Sequence, residues 1–191
     1  MAIAVLVIDD NQDQIVITRK VLAKSGGDYS VDSAASAKEG IEKIKSVPCD
    51  IVLCDYRLPD LTGIEILKQF KESGNDRPFI LVTSMGNERL AAEAMKSGAY
   101  DYVVKDASYE TILPEVIRQS LERYQEKKSL ERLEVERNEA VAVLRKERSE
   151  LETMNKMMLN RESRILELKQ EVNTLLKRLG EPPRYGGYSE K

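Results

Sequence analysis

The sequence predicts an α/β fold, a doubly wound parallel sheet followed by a long α-helix that forms a coiled coil. Three observations carry this reading. Five short apolar runs alternate with helical patterns through the first 120 or so residues. In Ile51 to Cys54 polar residues do not alternate with apolar ones, as in a strand buried on both faces of a parallel sheet. Between Pro114 and Gly180 there is neither Gly nor Pro, and the composition turns to Glu, Arg, Lys, Leu and Met.

The elements follow in order. Ile3 to Ile8 is the first buried strand, closed by Asp9-Asp10-Asn11. A helical pattern carries Ile15, Val16, Val21 and Leu22, and Gly26-Gly27 stops it. Tyr29 to Asp32 is a short strand, and Ser36-Ala-Lys-Glu39 is a capping box opening the second helix, with Ile41 and Ile44. Ile51 to Cys54 is a wholly apolar strand that runs into Asp55, and Leu58-Pro59-Asp60 with Gly63 supplies the turn after it. A helix with Ile64, Ile66, Leu67 and Phe70 follows, then the strand Phe79 to Val82, which ends in Thr83-Ser84. Residues 87–97 make a helix ending near Gly98. Tyr100 to Val104 is the fifth strand, ending in Lys105. Such a succession predicts the flavodoxin-like strand order 2-1-3-4-5. The switch point then falls between the first and third strands, which places Asp9-Asp10 beside Asp55.

Pro114 is expected to mark the first turn of the fifth helix, with residues 108–113 as a looser turn before it. Beyond it lies a seven-residue spacing through Leu144, Leu151, Met158, Ile165, Val172 and Leu179, extended backwards by Leu130 and Arg137. Companion positions are Leu133, Ala140, Glu147, Met154, Arg161, Leu168 and Leu175. Only Arg137, Glu147 and Arg161 interrupt an otherwise apolar seam, which favours a parallel homodimeric coiled coil over a solvated single helix. The expected organisation is a globular domain over 1–122, a helical extension over 123–180 and a flexible tail over 181–191. Ile117, Leu121 and Tyr124 keep a spacing that Leu130 does not continue, and such a discontinuity locally alters coiled-coil winding.

Composition excludes several function classes. At 191 residues, with 41% hydrophobic and 33% charged residues, the chain has less core and more charge than one compact domain needs. A net charge of −3 argues against a nucleic-acid-binding surface. Cys49 and Cys54 read as small core residues. No N-terminal stretch has signal-peptide character and no apolar run reaches membrane length, so a cytoplasmic protein without membrane insertion is expected. The chain has no histidine, so it cannot itself be a phosphohistidine donor, a His-dependent hydrolase or a His-ligated zinc enzyme.

Four neighbouring strand ends therefore carry two acids, one acid, one hydroxyl and one base. Phosphoryl transfer to a carboxylate brings two negative groups together. Mg²⁺ relieves that repulsion and prefers hard oxygens, which Asp9, Asp10, Asp55 and the backbone carbonyl of Arg57 can supply. Lys105 can neutralise one phosphoryl oxygen, and Thr83 can donate a hydrogen bond to another. Taken singly, an acid after a strand is most often the N-cap of the next helix, and Asp10 has that bland reading too.

Together, Asp9-Asp10, Asp55, Thr83 and Lys105 match the signature of the receiver domain of two-component response regulators. The Leu58-Pro59-Asp60 turn with Gly63, and Gly98-Ala99-Tyr100-Asp101-Tyr102 ahead of the lysine, extend the resemblance over about residues 1–122. The resemblance implies phosphorylation of Asp55 by a histidine kinase or phosphotransfer protein, a Mg²⁺ requirement, and a joint rearrangement of Thr83 and Tyr102. It also implies a phosphoacceptor rather than an enzyme in the ordinary sense. One departure is Asp106 where the family usually has a proline in a cis bond, and a cis bond costs about 3 kcal/mol before other residues. Arg57 either tunes the lifetime of the phosphoryl group or is an ordinary exposed arginine.

Rival readings meet specific obstacles. Haloacid-dehalogenase-like phosphatases carry a second acid two residues after their nucleophile, where this chain has Arg57. A flavin carrier needs a hydroxyl-rich loop after the first strand, where this chain has Asp-Asp-Asn. No helix-turn-helix or cyclase-like motif is visible, so the coiled coil is the expected output. Either two helical registers near residues 124–130 answer the Thr83–Tyr102 rearrangement, or the coil is a passive dimerisation linker, as in an adaptor or sensory fragment of a hybrid kinase system.

Overall fold

Burial of the apolar runs dictates the sheet. β1 (Ile3–Ile8), β2 (Tyr29–Ala34), β3 (Ile51–Asp55), β4 (Phe79–Thr83) and β5 (Asp101–Val104) form one parallel sheet of order β2-β1-β3-β4-β5. The structure is a computed structural model that describes residues 2–84, 86 and 88–186. Every residue of β3 and β4 is buried, as the missing polar alternation predicted. Odd and even residues of the central strands feed two core layers. Leu6, Ile8, Val52, Cys54 and Leu81 pack with α2 (Ala37–Ser46) and α3 (Gly63–Glu72). Val5, Val7, Ile51, Leu53, Ile80 and Val82 pack with α1 (Gln12–Lys24) and the start of α5 (Tyr109–Arg178). Cys49 and Cys54 are free thiols in these layers.

Several boundaries differ from expectation. β2 runs on to Ala34 because its pairing with β1 continues through Val7–Ser33 and Ile8–Ala34. β5 begins at Asp101, and Tyr100, just before it, donates its N–H to the Phe79 carbonyl. α4 spans Glu88–Lys96, and residue 87, expected as its start, lies outside the described residues. The box expected at the head of α2 is half formed: Ser36 accepts from the Glu39 amide, but Glu39 accepts from Ala35 rather than from Ser36. The complete capping box is Thr62 with Glu65, at the head of α3.

The fifth helix also starts earlier than expected, at Tyr109, with Pro114 inside it. Asp106 accepts from the amide and hydroxyl of Ser108, and the Ser108 carbonyl accepts from Thr111 and Ile112, so the first turn is built before the proline. Pro114 leaves the Glu110 carbonyl without its helical donor, at an exposed residue. Burial of Tyr109, Leu113 and Ile117 on one face outweighs that cost.

The chain divides into two compact units, Met1–Leu130 and Glu131–Lys191. In the second, the seam residues Leu144, Leu151, Met154, Met158, Ile165, Leu168, Val172, Leu175 and Leu179 are all exposed in the single chain. Within the expected tail, the Asn173 side chain accepts from the amides of Arg184 and Tyr185 and donates to the Tyr185 carbonyl. Residues 187–191 of that tail lie outside the described residues. Among the described residues, no helix is long and apolar enough to cross a membrane.

Candidate functional site: an acidic pocket at the strand ends

Strand pairing brings the predicted residues together. Ile8 faces Cys54 in the β1–β3 ladder and Asp55 faces Val82 in the β3–β4 ladder, so Asp9, Asp55 and Thr83 end three adjacent strands. Lys105 follows β5, and its amide donates to the Thr83 carbonyl at 2.7 Å. Its side chain reaches across β4, where its ammonium lies 2.7 Å from Asp9 Oδ2 and 2.7 Å from Asp55 Oδ1.

Local turns aim the acids. Asp9 Oδ1 accepts from the Asn11 amide, and Asp55 Oδ2 accepts from the Arg57 amide, each at 3.0 Å. The N-cap of α1 is Asn11, whose side chain accepts from Asp13 and Gln14. Asp10 is thereby released from capping, and its carboxylate joins those of Asp9 and Asp55, with ligand oxygens within 4.8 Å of one another. Asp9 and Asp55 are buried, whereas Asp10 is exposed at the rim.

Burial pushes the Asp55 carboxyl above its ordinary range, against the opposing pull of Lys105. For Lys105, burial works against the charge, but the hydrogen bonds it donates to Asp55 and Asp9 outweigh it and hold the ammonium above its usual range. Three carboxylates against one ammonium leave two negative charges uncompensated. That surplus and the hard oxygen donors fit a divalent cation such as Mg²⁺. This is the one candidate metal cluster among the described residues.

Thr83 is buried at the end of β4. Tyr102 lies opposite Leu81 in the β4–β5 ladder and packs on the layer shared with Leu81. Arg57 is exposed, and the Lys105–Asp106 peptide is trans, since there is no cis bond among the described residues. Sequence reasoning missed two contacts. Thr18 and Tyr109 share a buried 2.9 Å hydrogen bond between α1 and α5. Asp60 accepts from the amides of Ala37 and Lys38, on another element. An acid near a turn was the available signal, but the sequence does not reveal a partner more than twenty residues away.

A five-stranded sheet of this order with an acidic pocket at its carboxyl edge defines a receiver-type signalling module. The response regulator receiver domain model matches residues 5–118, and the chain belongs to that family. It is 33% identical over 108 residues to the transcriptional regulatory protein ZraR of Klebsiella oxytoca, a match covering 56% of this chain and 24% of that protein. It is 30% identical over 101 residues to the chemotaxis protein CheY of Thermotoga maritima, covering 53% of this chain and 83% of the relative. A CheY-like receiver domain protein from Methanospirillum hungatei superposes with a TM-score of 0.60 at 27% identity, covering 66% of this chain and 99% of that one. The chain thus spans about a quarter of the length of ZraR. Receiver domains are signalling domains that work with histidine kinases or phosphotransfer proteins.

Proposed function

We propose that the chain is a response regulator that accepts a phosphoryl group on Asp55, from a histidine kinase or a phosphotransfer protein, and signals through its helical extension. The observation that carries this reading is Lys105 held between Asp9 and Asp55 in a pocket with surplus negative charge.

Asp9, Asp10, Asp55 and the Arg57 carbonyl would hold Mg²⁺. When bound, the ion neutralises charge on the incoming phosphoryl group and on the carboxylates. Asp55 is the nucleophile: one carboxylate oxygen bonds to phosphorus as the bond to the donor breaks, and the donor leaves with the electron pair. Lys105 stabilises the transferred oxygens by charge, and the Thr83 hydroxyl donates to another. Thr83 then draws Tyr102 with it, as the switch pair.

The extension is proposed to form a parallel homodimer along Leu144, Leu151, Met154, Met158, Ile165, Leu168, Val172, Leu175 and Leu179. Their exposure in the single chain supports a partner on that face. Output through this segment, rather than through a DNA-binding domain, is part of the proposal. Fluorine NMR with beryllofluoride tests the acceptor site. Wild type should bind it only with Mg²⁺, and Asp55→Asn should not bind it. Equal binding by both overturns the assignment.

A further inference from the structure

We infer that Asp60 is a positioning residue for the metal side of the pocket, holding the loop that bears the Arg57 carbonyl. The inference rests on the proposed Mg²⁺ site and names one more residue that shapes it.

The loop from Tyr56 to Thr62 is closed at its base. Arg57 and Thr62 form an antiparallel bridge, and the Gly63 amide donates to the Tyr56 carbonyl at 2.9 Å. A Cβ at Gly63 would meet the Asp55 carbonyl oxygen at 2.6 Å, so the base is pressed against the acceptor's own backbone. Leu58 and Leu61 pack against the core layer under α2 and α3, and the loop adds a polar tether through one side chain. Asp60 Oδ1 accepts from the Ala37 amide at 3.0 Å and Oδ2 from the Lys38 amide at 3.1 Å.

Those amides are the first two of α2, and Ser36 takes the third, that of Glu39. Two side chains from separate segments thus share the orphan donors of one helix end. The helix end is itself tied to the metal site, because the Asp9 amide donates to the Ala34 carbonyl at 3.0 Å. A closed circuit results. It runs from Asp9 through Ala34 and the head of α2 to Asp60, along the loop to Arg57 and Asp55, and back through the β3–β1 ladder. Within that circuit the two hydrogen bonds of Asp60 link the loop to α2, and a single substitution removes both.

Without that polar tether the ligand carbonyl is held less firmly relative to Asp9. Support of this kind around a metal ligand is worth about 10–100-fold in affinity. Titration calorimetry of Mg²⁺ with the full chain tests the role. Asp60→Ala should raise the dissociation constant about tenfold. Asp60→Asn should fall between, because its amide oxygen accepts one N–H while its NH₂ cannot accept the other. Ser36→Ala is the control: it removes the other cap of α2 and lowers the melting temperature, yet leaves Mg²⁺ affinity unchanged. Unchanged affinity in Asp60→Ala overturns the positioning role, and so does an equal loss in Ser36→Ala, which would assign the effect to helix stability alone. A wild type that binds no Mg²⁺ overturns the metal site as well.

Discussion

The ammonium of Lys105 stands 2.7 Å from a carboxylate oxygen of Asp55, a residue 50 positions earlier in the chain. Both side chains are about nine-tenths buried, so neither charge has water to fall back on. Removing one member of a buried pair typically costs about 3–5 kcal/mol, because the other is left uncompensated. Lys105→Ala should therefore lower the unfolding free energy of the metal-free protein by about 3 kcal/mol. Mg²⁺ should restore more of the melting temperature in this variant than it adds to wild type, since it meets a more negative pocket. Equal Mg²⁺ increments in scanning calorimetry would contradict this electrostatic picture.

Asp10→Ala should behave in the opposite way. Asp10 is exposed and makes no cap, so its loss should leave metal-free stability within about 0.5 kcal/mol of wild type. It should weaken Mg²⁺ binding, as a hard oxygen donor is gone. A Mg²⁺ titration in which Lys105→Ala loses more affinity than Asp10→Ala would reverse the two roles.

Much of this was legible in the sequence because β3 and β4 are buried throughout and β1 over its last four residues. β1 matched its expected bounds, β3 and β4 each ran one residue further, and the strand order placed the acids, Thr83 and Lys105 at one edge. What escaped was set by side chains acting at a distance or in competition. Asn11 and Asp10 both fit an N-cap by type, and only the turn geometry shows Asn11 taking it. Pro114 reads locally as a helix start, but the Asp106–Ser108 turn and the buried face of Tyr109, Leu113 and Ile117 begin the helix before it. Asp60 reads as a turn former, and its bonds to α2 depend on the tertiary fold. The heptad seam is visible in sequence as a pattern, and a pattern does not name its partner.

Gly63→Ala should destabilise the domain by about 1–3 kcal/mol, the usual cost of forcing an extra carbon into packed space. The new Cβ would stand 2.6 Å from the Asp55 carbonyl oxygen and 2.6 Å from Leu81 Cδ1, and backbone cannot swing aside as a side-chain tip can. Urea unfolding measures the loss. A cost below about 0.5 kcal/mol would show that the loop base yields freely.

The pH dependence of one ion pair has a definite sign. A hydrogen bond from Lys128 holds the Asp76 carboxyl below its ordinary range against the opposing effect of burial, and one from Tyr124 adds to it. A depressed carboxyl stabilises the fold above its unfolded pKa of about 3.9, and that contribution is lost as pH falls through the folded value. Both side chains are more than a third exposed, so screening limits the pair to about 0.2–1 kcal/mol. A double-mutant cycle of Asp76→Asn with Lys128→Gln should show this coupling at pH 6 and lose it in acid. Coupling that persists well below the carboxyl range would contradict the ion-pair account.

For the proposed seam, light scattering should find wild type dimeric and Ile165→Asp combined with Leu168→Asp monomeric. Both side chains are exposed in the single chain, so the receiver should keep its melting temperature and its reactivity at Asp55. A dimer that persists would remove the seam from the account.

The most direct test of the acceptor claim is intact-mass spectrometry of the chain after incubation with acetyl phosphate. With Mg²⁺, wild type should gain the mass of one phosphoryl group, removable by hydroxylamine as an acyl phosphate is. Asp55→Asn, and wild type with chelator, should gain none. A phosphoryl group on Asp55→Asn, or none on wild type with Mg²⁺ present, would contradict the assignment of Asp55.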